Sequence, residues 1–501
     1  MTMKTTTWTC IGICAAASAL GACGSMDATG ENDLAGWDSG SGYGSPTSGS
    51  GGSASGPSSG TSVSATSGGY DPPPPVEPPA KPDNPIDVAC EQLDQSKPLK
   101  LYLSADDSNS MASPARARQL LNSGIAPTNI RTYEFLNYYN IDYSTLNTTR
   151  TGGLGIFPQM AAVDGELGQY DLQIGVRAPE MAERRPVSIT LVLDTSGSMA
   201  GDPIARERDV IRAIATSLRK DDIVNAVTWS TAQAVNLNQH VVSGPNDPKI
   251  IALANNLQAG GGTNLSAGLQ RGYQLAEASY APERLNRLVL ISDGGANTGI
   301  TDENLIGAQS KEGDKKEGIY LVGVGAGHQN GMSYNDQLMD VVTDMGRGAY
   351  VYVDSKEEAD SIFGERFNEV MEIAARSVQV ELTLPWYFQM HKFYGEEFSE
   401  DPKEIEPQHL APGDVMIFNQ VIKACSAELV DPDHPITVKI SYQDPHSYAS
   451  KTSSSVRTVN ELLSGPIDQL LKGKAIVAYA EALKTGLPED LKAAQNSLDQ
   501  A

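Results

Sequence analysis

Three short segments of the chain carry oxygen-bearing side chains, two of them where predicted strands end and one just before a predicted helix. The first follows the apolar run 187–193, the second is the glycine-rich stretch 260–264, and the third follows the apolar run 287–292. Together they supply two carboxylates and three hydroxyls: Asp194, Ser196, Ser198, Thr263 and Asp293. Hard oxygen ligands of this kind suit Mg²⁺, or Mn²⁺ in its place, better than a soft metal. The segments provide no nucleophile paired with a base, so the predicted chemistry is cation binding and no catalytic residue is assigned.

The elements that position these segments form an alternating pattern of strands and helices. Apolar, β-branched runs and amphipathic stretches alternate from residue 187 to residue 375, which is typical of a mostly parallel sheet with helices on both faces. The last of the predicted helices is a long one, residues 355–375. In a doubly wound sheet, ligands bind beyond the carboxyl ends of the strands. We therefore expect the three segments to meet at that edge.

The spacing of these residues resembles a known metal site. Asp194, Ser196 and Ser198 form D-x-S-x-S, Thr263 stands in a later glycine-rich loop, and Asp293 precedes a glycine. This order resembles the metal-ion-dependent adhesion site (MIDAS) of von Willebrand factor type A (VWA) domains. The resemblance implies that the hydroxyls coordinate the ion directly and that one or both aspartates act through water. It also implies an open position that an Asp or Glu of a partner protein completes.

Other interpretations of the same residues stay open. The serines and the threonine could cap helices while the aspartates accept from loop amides. A metal-dependent phosphohydrolase of the haloacid-dehalogenase type is less favoured, because the second aspartate that such a phosphatase needs is replaced by Ser196. A serine hydrolase is not indicated either, since none of the six histidines accompanies a nucleophile-elbow motif near a suitable serine. A metal-independent envelope scaffold is the main alternative to the binding module.

The amino terminus predicts an exported lipoprotein. Lys4 precedes an apolar run, residues 11–20, that is too short to span a bilayer. Residues 20–23, Leu-Gly-Ala-Cys, resemble a bacterial lipobox. The resemblance implies that residues 1–22 are a signal peptide, that Cys23 carries a lipid anchor, and that Gly24 directs the protein to the outer membrane, on its periplasmic or surface face. A soluble secreted protein is the alternative.

Composition bounds the rest of the chain. With 37 Lys and Arg against 62 Asp and Glu, the 501 residues carry a formal charge of −25, which argues against a nucleic-acid partner. No Walker loop occurs, so no nucleotide is expected.

Residues 23–85, rich in Gly and Ser and then in Pro, predict a disordered tether. Cys90 and Cys425 then remain as an even pair, which indicates a disulfide in an exported protein, with two free buried thiols as the alternative.

The flanking segments complete the predicted architecture. Three segments, residues 106–111, 116–124 and 133–139, resemble the N-terminal module of a family of bacterial VWA lipoproteins, and residues 378 to about 485 resemble its C-terminal module. We expect an N-terminal helical module at 86–149, a sandwich-like β-rich domain at 150–185 and 377–457, and a helical tail at 458–501. The doubly wound α/β (Rossmann-like) VWA domain, residues 186–376, is inserted in that β-rich domain. Arg184 and Arg185, at the junction, are expected in an exposed charged loop.

Overall fold

The computed structural model describes residues 89–144, 153–180, 183–295, 318–328, 334–445 and 447–500. The predicted signal peptide, the predicted lipidation site Cys23 and the predicted tether lie outside the described residues. Its strands are β1 (Leu99–Ser104), β2 (Gly155–Ala162), β3 (Gln169–Arg177), β4 (Val187–Asp194), β5 (Ile223–Trp229), β6 (Gln233–Val241), β7 (Leu285–Ser292), β8 (Ile319–Gly325), β9 (Tyr350–Tyr352), β10 (Ala375–Leu384), β11 (Phe388–Phe393), β12 (Glu397–Ser399), β13 (Gln408–Leu410), β14 (Val415–Ala424), β15 (Pro435–Gln443) and β16 (Ser450–Thr458). Its α-helices are α1 (Ala112–Asn122), α2 (Thr132–Tyr138), α3 (Asp202–Ser217), α4 (Pro248–Asn256), α5 (Leu265–Ala278), α6 (Asp336–Met345), α7 (Lys356–Asp360), α8 (Phe367–Met371), α9 (Val459–Leu463), α10 (Asp468–Thr485) and α11 (Pro488–Gln500).

The middle of the chain folds into a doubly wound sheet, as predicted. Its strand order is β6-β5-β4-β7-β8-β9, and every neighbouring pair is parallel except β5 with β6. All residues of β4 and β7 are buried, since helices cover both faces. Leu191 and Ile291 pack on one face against α3, while Val192 and Leu290 pack on the other against α5. The continuous apolar runs in the sequence reflect this two-sided burial.

The residues on either side of this sheet form a β-sandwich. One sheet has the order β12-β1-β10-β15-β16, with β13 added to β10, and the other has the order β11-β14-β3-β2. Leu103, Ile174, Leu382, Phe418 and Ile440, from both sheets, are buried in one apolar cluster. Because β4 to β9 lie between β3 and β10 in the chain, the doubly wound domain is inserted into the sandwich.

Two sequence-based boundaries were wrong. The segment at 86–149 is not only helical, since β1 pairs with β10 and β12 and so belongs to the sandwich. Leu101 and Leu103 alternate with Lys100 and Tyr102 along β1 and are buried in the apolar cluster of the sandwich. The predicted long helix 355–375 is interrupted by a π-helical turn, Ser361–Glu365, and α8 ends at Met371. The chain becomes extended at Glu372 because it must enter β10.

Contacts between distant segments hold the modules together. A disulfide joins Cys90 and Cys425, with 5.3 Å between their Cα atoms, and ties the segment before β1 to the end of β14. Phe135 of α2 packs edge-on against Tyr479 of α10 at 5.8 Å between ring centroids. Among the described residues, no helix is both long and apolar enough to cross a bilayer.

The junction between sandwich and inserted domain is ionic, and here the expectation of an exposed loop was wrong. Arg184 is 7% exposed and pairs with the buried Asp222 at 2.9 Å. Arg185 pairs with the buried Glu372 at 2.6 Å. Arg185 therefore joins the segments that enter and leave the insertion, and Arg184 joins the entering segment to the residue before β5.

Candidate metal centre

The predicted ligands lie in loops that leave the carboxyl edge of the central sheet. Strand β4 ends at Asp194, and a single 3₁₀ turn, Gly197–Met199, follows it. Two backbone hydrogen bonds bind this loop to the glycine-rich loop: Gly197 N–H donates to the Gly261 carbonyl at 3.1 Å, and Gly260 N–H donates to the Thr195 carbonyl at 2.8 Å. The segment that carries the two serines is thus held against the segment that carries Thr263.

The first segment presents its hydroxyls as a pair. Ser196 Oγ and Ser198 Oγ are 3.0 Å apart. Asp194 is fully buried behind them, where its Oδ1 accepts from Ser196 N–H at 2.9 Å and its Oδ2 accepts from the Ser292 hydroxyl at 2.7 Å. Each oxygen of the Asp194 carboxylate is therefore engaged in orienting the loops.

Asp293 completes the cluster from the end of β7. It is 1% exposed, and its Oδ1 accepts from Gly295 N–H at 3.0 Å. Its Oδ2 is buried and has no hydrogen-bond partner within the described ranges. A Cβ atom placed on Gly295 would lie 3.0 Å from Asp293 Oδ1, 3.4 Å from Thr263 Cγ2 and 3.7 Å from Ser198 Oγ. The structure thus brings all three segments to one point.

The electrostatics of the cluster favour a cation. Burial, together with the charge of Asp293, raises the pKa of Asp194 to about 7. Burial also raises the pKa of Asp293, against the opposing effects of the Ser198 hydroxyl and of His328. Two neighbouring carboxyl groups in a dry pocket repel each other when both are ionised, and a divalent ion would offset that repulsion.

Helix capping does not account for the hydroxyls. Ser196 precedes the 3₁₀ turn without making a side-chain capping bond, and α3 begins after Gly201. Helix α5 is capped by Asn264, whose side chain accepts from Ala267 N–H at 3.2 Å.

The donor chemistry also fits a hard cation. In the part of the chain that the structure describes, no three His, Cys, Asp or Glu side chains form a metal cluster. A metal here would therefore rest on hydroxyls as well as carboxylates. The buried Asp293 Oδ2 without a partner is the kind of atom that such an ion, or its bound water, would satisfy.

Sequence reasoning missed a third carboxyl group close to this site. Glu207 of α3 is fully buried, and neither of its carboxyl oxygens has a hydrogen-bond partner. Burial and the charge of Asp194 raise the pKa of Glu207 well above its usual value. The helical spacing could have indicated this buried carboxyl group, because Glu207 lies three residues after Ile204 and four before Ile211, on the apolar face of α3. His328 also lies beside the cluster, and its Nε2 is 2.8 Å from the Ser198 carbonyl oxygen.

Comparison with known proteins identifies the inserted domain. Residues 188–365 match the von Willebrand factor type A domain family. The uncharacterized protein YfbK of Escherichia coli is 27% identical over 316 residues, which is 61% of this chain and 52% of YfbK. The uncharacterized protein sll0103 of Synechocystis sp. is 26% identical over 218 residues, 43% of this chain and 49% of sll0103. The matched regions thus span about half the length of each bacterial relative.

Among solved structures, the chain is similar to a von Willebrand factor type A protein from Catenulispora acidiphila. That similarity has a TM-score of 0.40 and 13% identity, and it covers 67% of this chain and 81% of the other.

Proposed function

We propose that the VWA domain at residues 188–365 is a divalent-metal-dependent protein-binding module. Its ion, Mg²⁺ or Mn²⁺, is held by the cluster of Asp194, Ser196, Ser198, Thr263 and Asp293. The observation that carries the proposal is the convergence of the three segments around Gly295, where Asp293 Oδ1, Thr263 Cγ2 and Ser198 Oγ approach one point. The other carboxylate oxygen of Asp293, Oδ2, is buried without a hydrogen-bond partner among the described residues.

The hydroxyl groups of the cluster and Asp194 have different tasks in this proposal. The hydroxyls of Ser196, Ser198 and Thr263 hold the ion, while Asp194 is fixed by its bonds to Ser196 and Ser292. Neutral hydroxyl ligands leave most of the positive charge of the ion uncompensated. When bound, the ion supplies an electrophilic position that an Asp or Glu side chain of a partner protein can occupy.

The rim of the site suits a macromolecular ligand. Gly197, Gly260 and Gly261 are exposed beside the buried serine and threonine. Without side chains at these positions, a partner's carboxylate can approach the ion closely. His328 contacts the carbonyl of Ser198 rather than its hydroxyl, so it is not placed to act as a base toward that hydroxyl. Binding is therefore favoured over hydrolysis.

We place this module in the bacterial envelope, anchored by a lipid on Cys23 and held away from the outer membrane by the tether. The Cys90–Cys425 disulfide supports an oxidising compartment. The partner is a protein of that compartment that presents an acidic side chain. A metal-independent scaffold is the alternative, and it predicts the same location.

Partner capture distinguishes the two functions. The full chain, immobilised and incubated with native envelope extract, is expected to retain a partner in Mg²⁺ and to release it in EDTA. Ser198→Ala should retain little partner even in Mg²⁺, because a direct ligand is gone. Ser454→Ala, an exposed serine of β16, is the matched control and should behave as wild type. Capture that survives both EDTA and Ser198→Ala would support the scaffold instead.

A further inference from the structure

A cavity lies at the edge of the central sheet opposite the metal centre, where β7 and β8 begin. Its volume is about 370 Å³, roughly twelve times the ~30 Å³ share of one water molecule. The loop before β7, Gly318, the start of β10 and the turn between β15 and β16 surround it. Its lining includes four arginines and one glutamate: Arg185, Arg284, Arg287, Arg376 and Glu283.

Two of these arginines, Arg185 and Arg284, donate hydrogen bonds to acidic or carbonyl groups of the protein. Arg185 donates to the buried Glu372 at 2.6 Å. Arg284 Nη1 donates to the Asp221 carbonyl at 2.9 Å and to the Val187 carbonyl at 3.2 Å. Their charges and donors thus have structural roles at the junction of the two domains.

The other two arginines are not neutralised by the described part of the chain. Arg287 is 4% exposed, and its guanidinium donates only to the adjacent Asn286 carbonyl, at 2.9 Å. Arg376 has a buried Nε without a hydrogen-bond partner. Neither forms an ion pair with a carboxylate among the described residues.

Aromatic rings hold both guanidinium groups beside the cavity. Tyr320 contacts both, at 5.0 Å from its ring centroid to Arg287 Cζ and 5.3 Å to Arg376 Cζ. Tyr448 contacts Arg376 from the other side, at 4.7 Å. The rings fix the orientation of the two planar groups but leave their charges uncompensated.

Without a bound anion, this arrangement of arginines lowers the stability of the fold. Burial, together with the charges of Arg185 and Arg376, lowers the pKa of Arg287 to about 10 despite the opposing effects of Glu372 and Tyr320. A buried guanidinium, Arg287, beside a half-buried one, Arg376, destabilises a fold when neither has a carboxylate partner, whereas an oxyanion between them would accept from both.

We propose that Arg287 and Arg376 form a binding site for a phosphate group. The planar donors match the oxygens of a phosphate, and the cavity has room for an organic group attached to it. The phosphate group can belong to a soluble anion or to the head group of a lipid. The site is independent of the metal centre, which lies at the other edge of the sheet.

The test uses the full chain in EDTA, so that the metal centre plays no part. Calorimetry with inorganic phosphate and with glycerol 3-phosphate measures the soluble anions, and sedimentation with phosphatidic acid vesicles, against phosphatidylcholine vesicles, measures the lipid. Loss of a hydrogen bond to a charged group lowers affinity by about 10- to 100-fold, so Arg376→Gln should bind that much more weakly. Arg457→Gln, an exposed arginine of β16, is the control and should bind as wild type.

Each result bears on the proposal. Binding of the soluble anions alone, lost in Arg376→Gln, assigns a soluble ligand, and vesicle binding lost in the same variant assigns a lipid head group. Circular dichroism shows whether Arg376→Gln is folded, and Arg287→Lys, which keeps the charge but not the planar donors, gives a second measure of lost affinity. The proposal is overturned when no phosphate compound binds the wild type, or when Arg376→Gln and Arg287→Lys bind as tightly as Arg457→Gln.

Discussion

Replacing Arg184 with methionine is expected to lower the free energy of unfolding by about 3–5 kcal/mol, the usual cost of removing one partner of a buried ion pair. The side chains of Arg184 and Asp222 are 1% and 2% exposed. Asp222 also accepts from Val187 N–H at 2.9 Å and from Arg219 N–H at 2.7 Å, so it cannot turn toward solvent. The variant leaves this carboxylate buried without its counter-charge.

Chemical denaturation of the wild type and the variant measures this loss. Arg212→Met is the matched control, because Arg212 is 41% exposed and pairs with Asp209 at 3.2 Å on the surface of α3. Exposed pairs contribute about 1 kcal/mol or less. Equal stability losses in the two variants would show that Arg184 is not part of a buried ionic junction.

The second large effect is expected at the metal centre. Groups that only orient metal ligands contribute about 10–100-fold to metal affinity, so removing the Asp293 carboxylate should weaken Mg²⁺ binding by at least about 100-fold. The reason is that Asp293 supplies the buried oxygen that lacks a hydrogen-bond partner. Its removal also relieves repulsion with Asp194, so Asp293→Ala should fold.

Calorimetric titration with Mg²⁺ tests this effect. Asp433→Ala, which removes the same side-chain atoms from an exposed aspartate of the sandwich, is the control and should leave the Mg²⁺ affinity unchanged. An affinity in Asp293→Ala equal to that in Asp433→Ala would mean that the carboxylate has no part in binding a metal.

The central sheet could be predicted because its signals are local. The apolar runs of β4 and β7 arise from burial on both faces, and the spacing of Leu265, Leu269 and Gly272 marks the buried face of α5. Parallel strands place their carboxyl ends together, so the meeting of Asp194 and Asp293 follows from topology. Thr263 joins them because its loop precedes α5 and bonds to the loop after β4.

The remaining features depend on contacts between distant parts of the chain. Nothing near Ser361 in the sequence marks the π-helical turn, and the Glu372–Arg185 pair that follows it joins residues far apart in the chain. The burial of Arg184 depends on Asp222, 38 residues later. Arg287 and Arg376 are far apart in the chain and meet only through Tyr320. Residue patterns within one element do not contain such information.

The most direct test of the metal centre is a crystal of the full chain soaked in Mn²⁺, with diffraction data collected at a wavelength where manganese scatters anomalously. We expect one anomalous peak within coordination distance of the Ser196 and Ser198 hydroxyls and beside Asp293. A lattice in which these loops remain accessible, soaked at saturating Mn²⁺ and showing no peak at this position, would contradict the account.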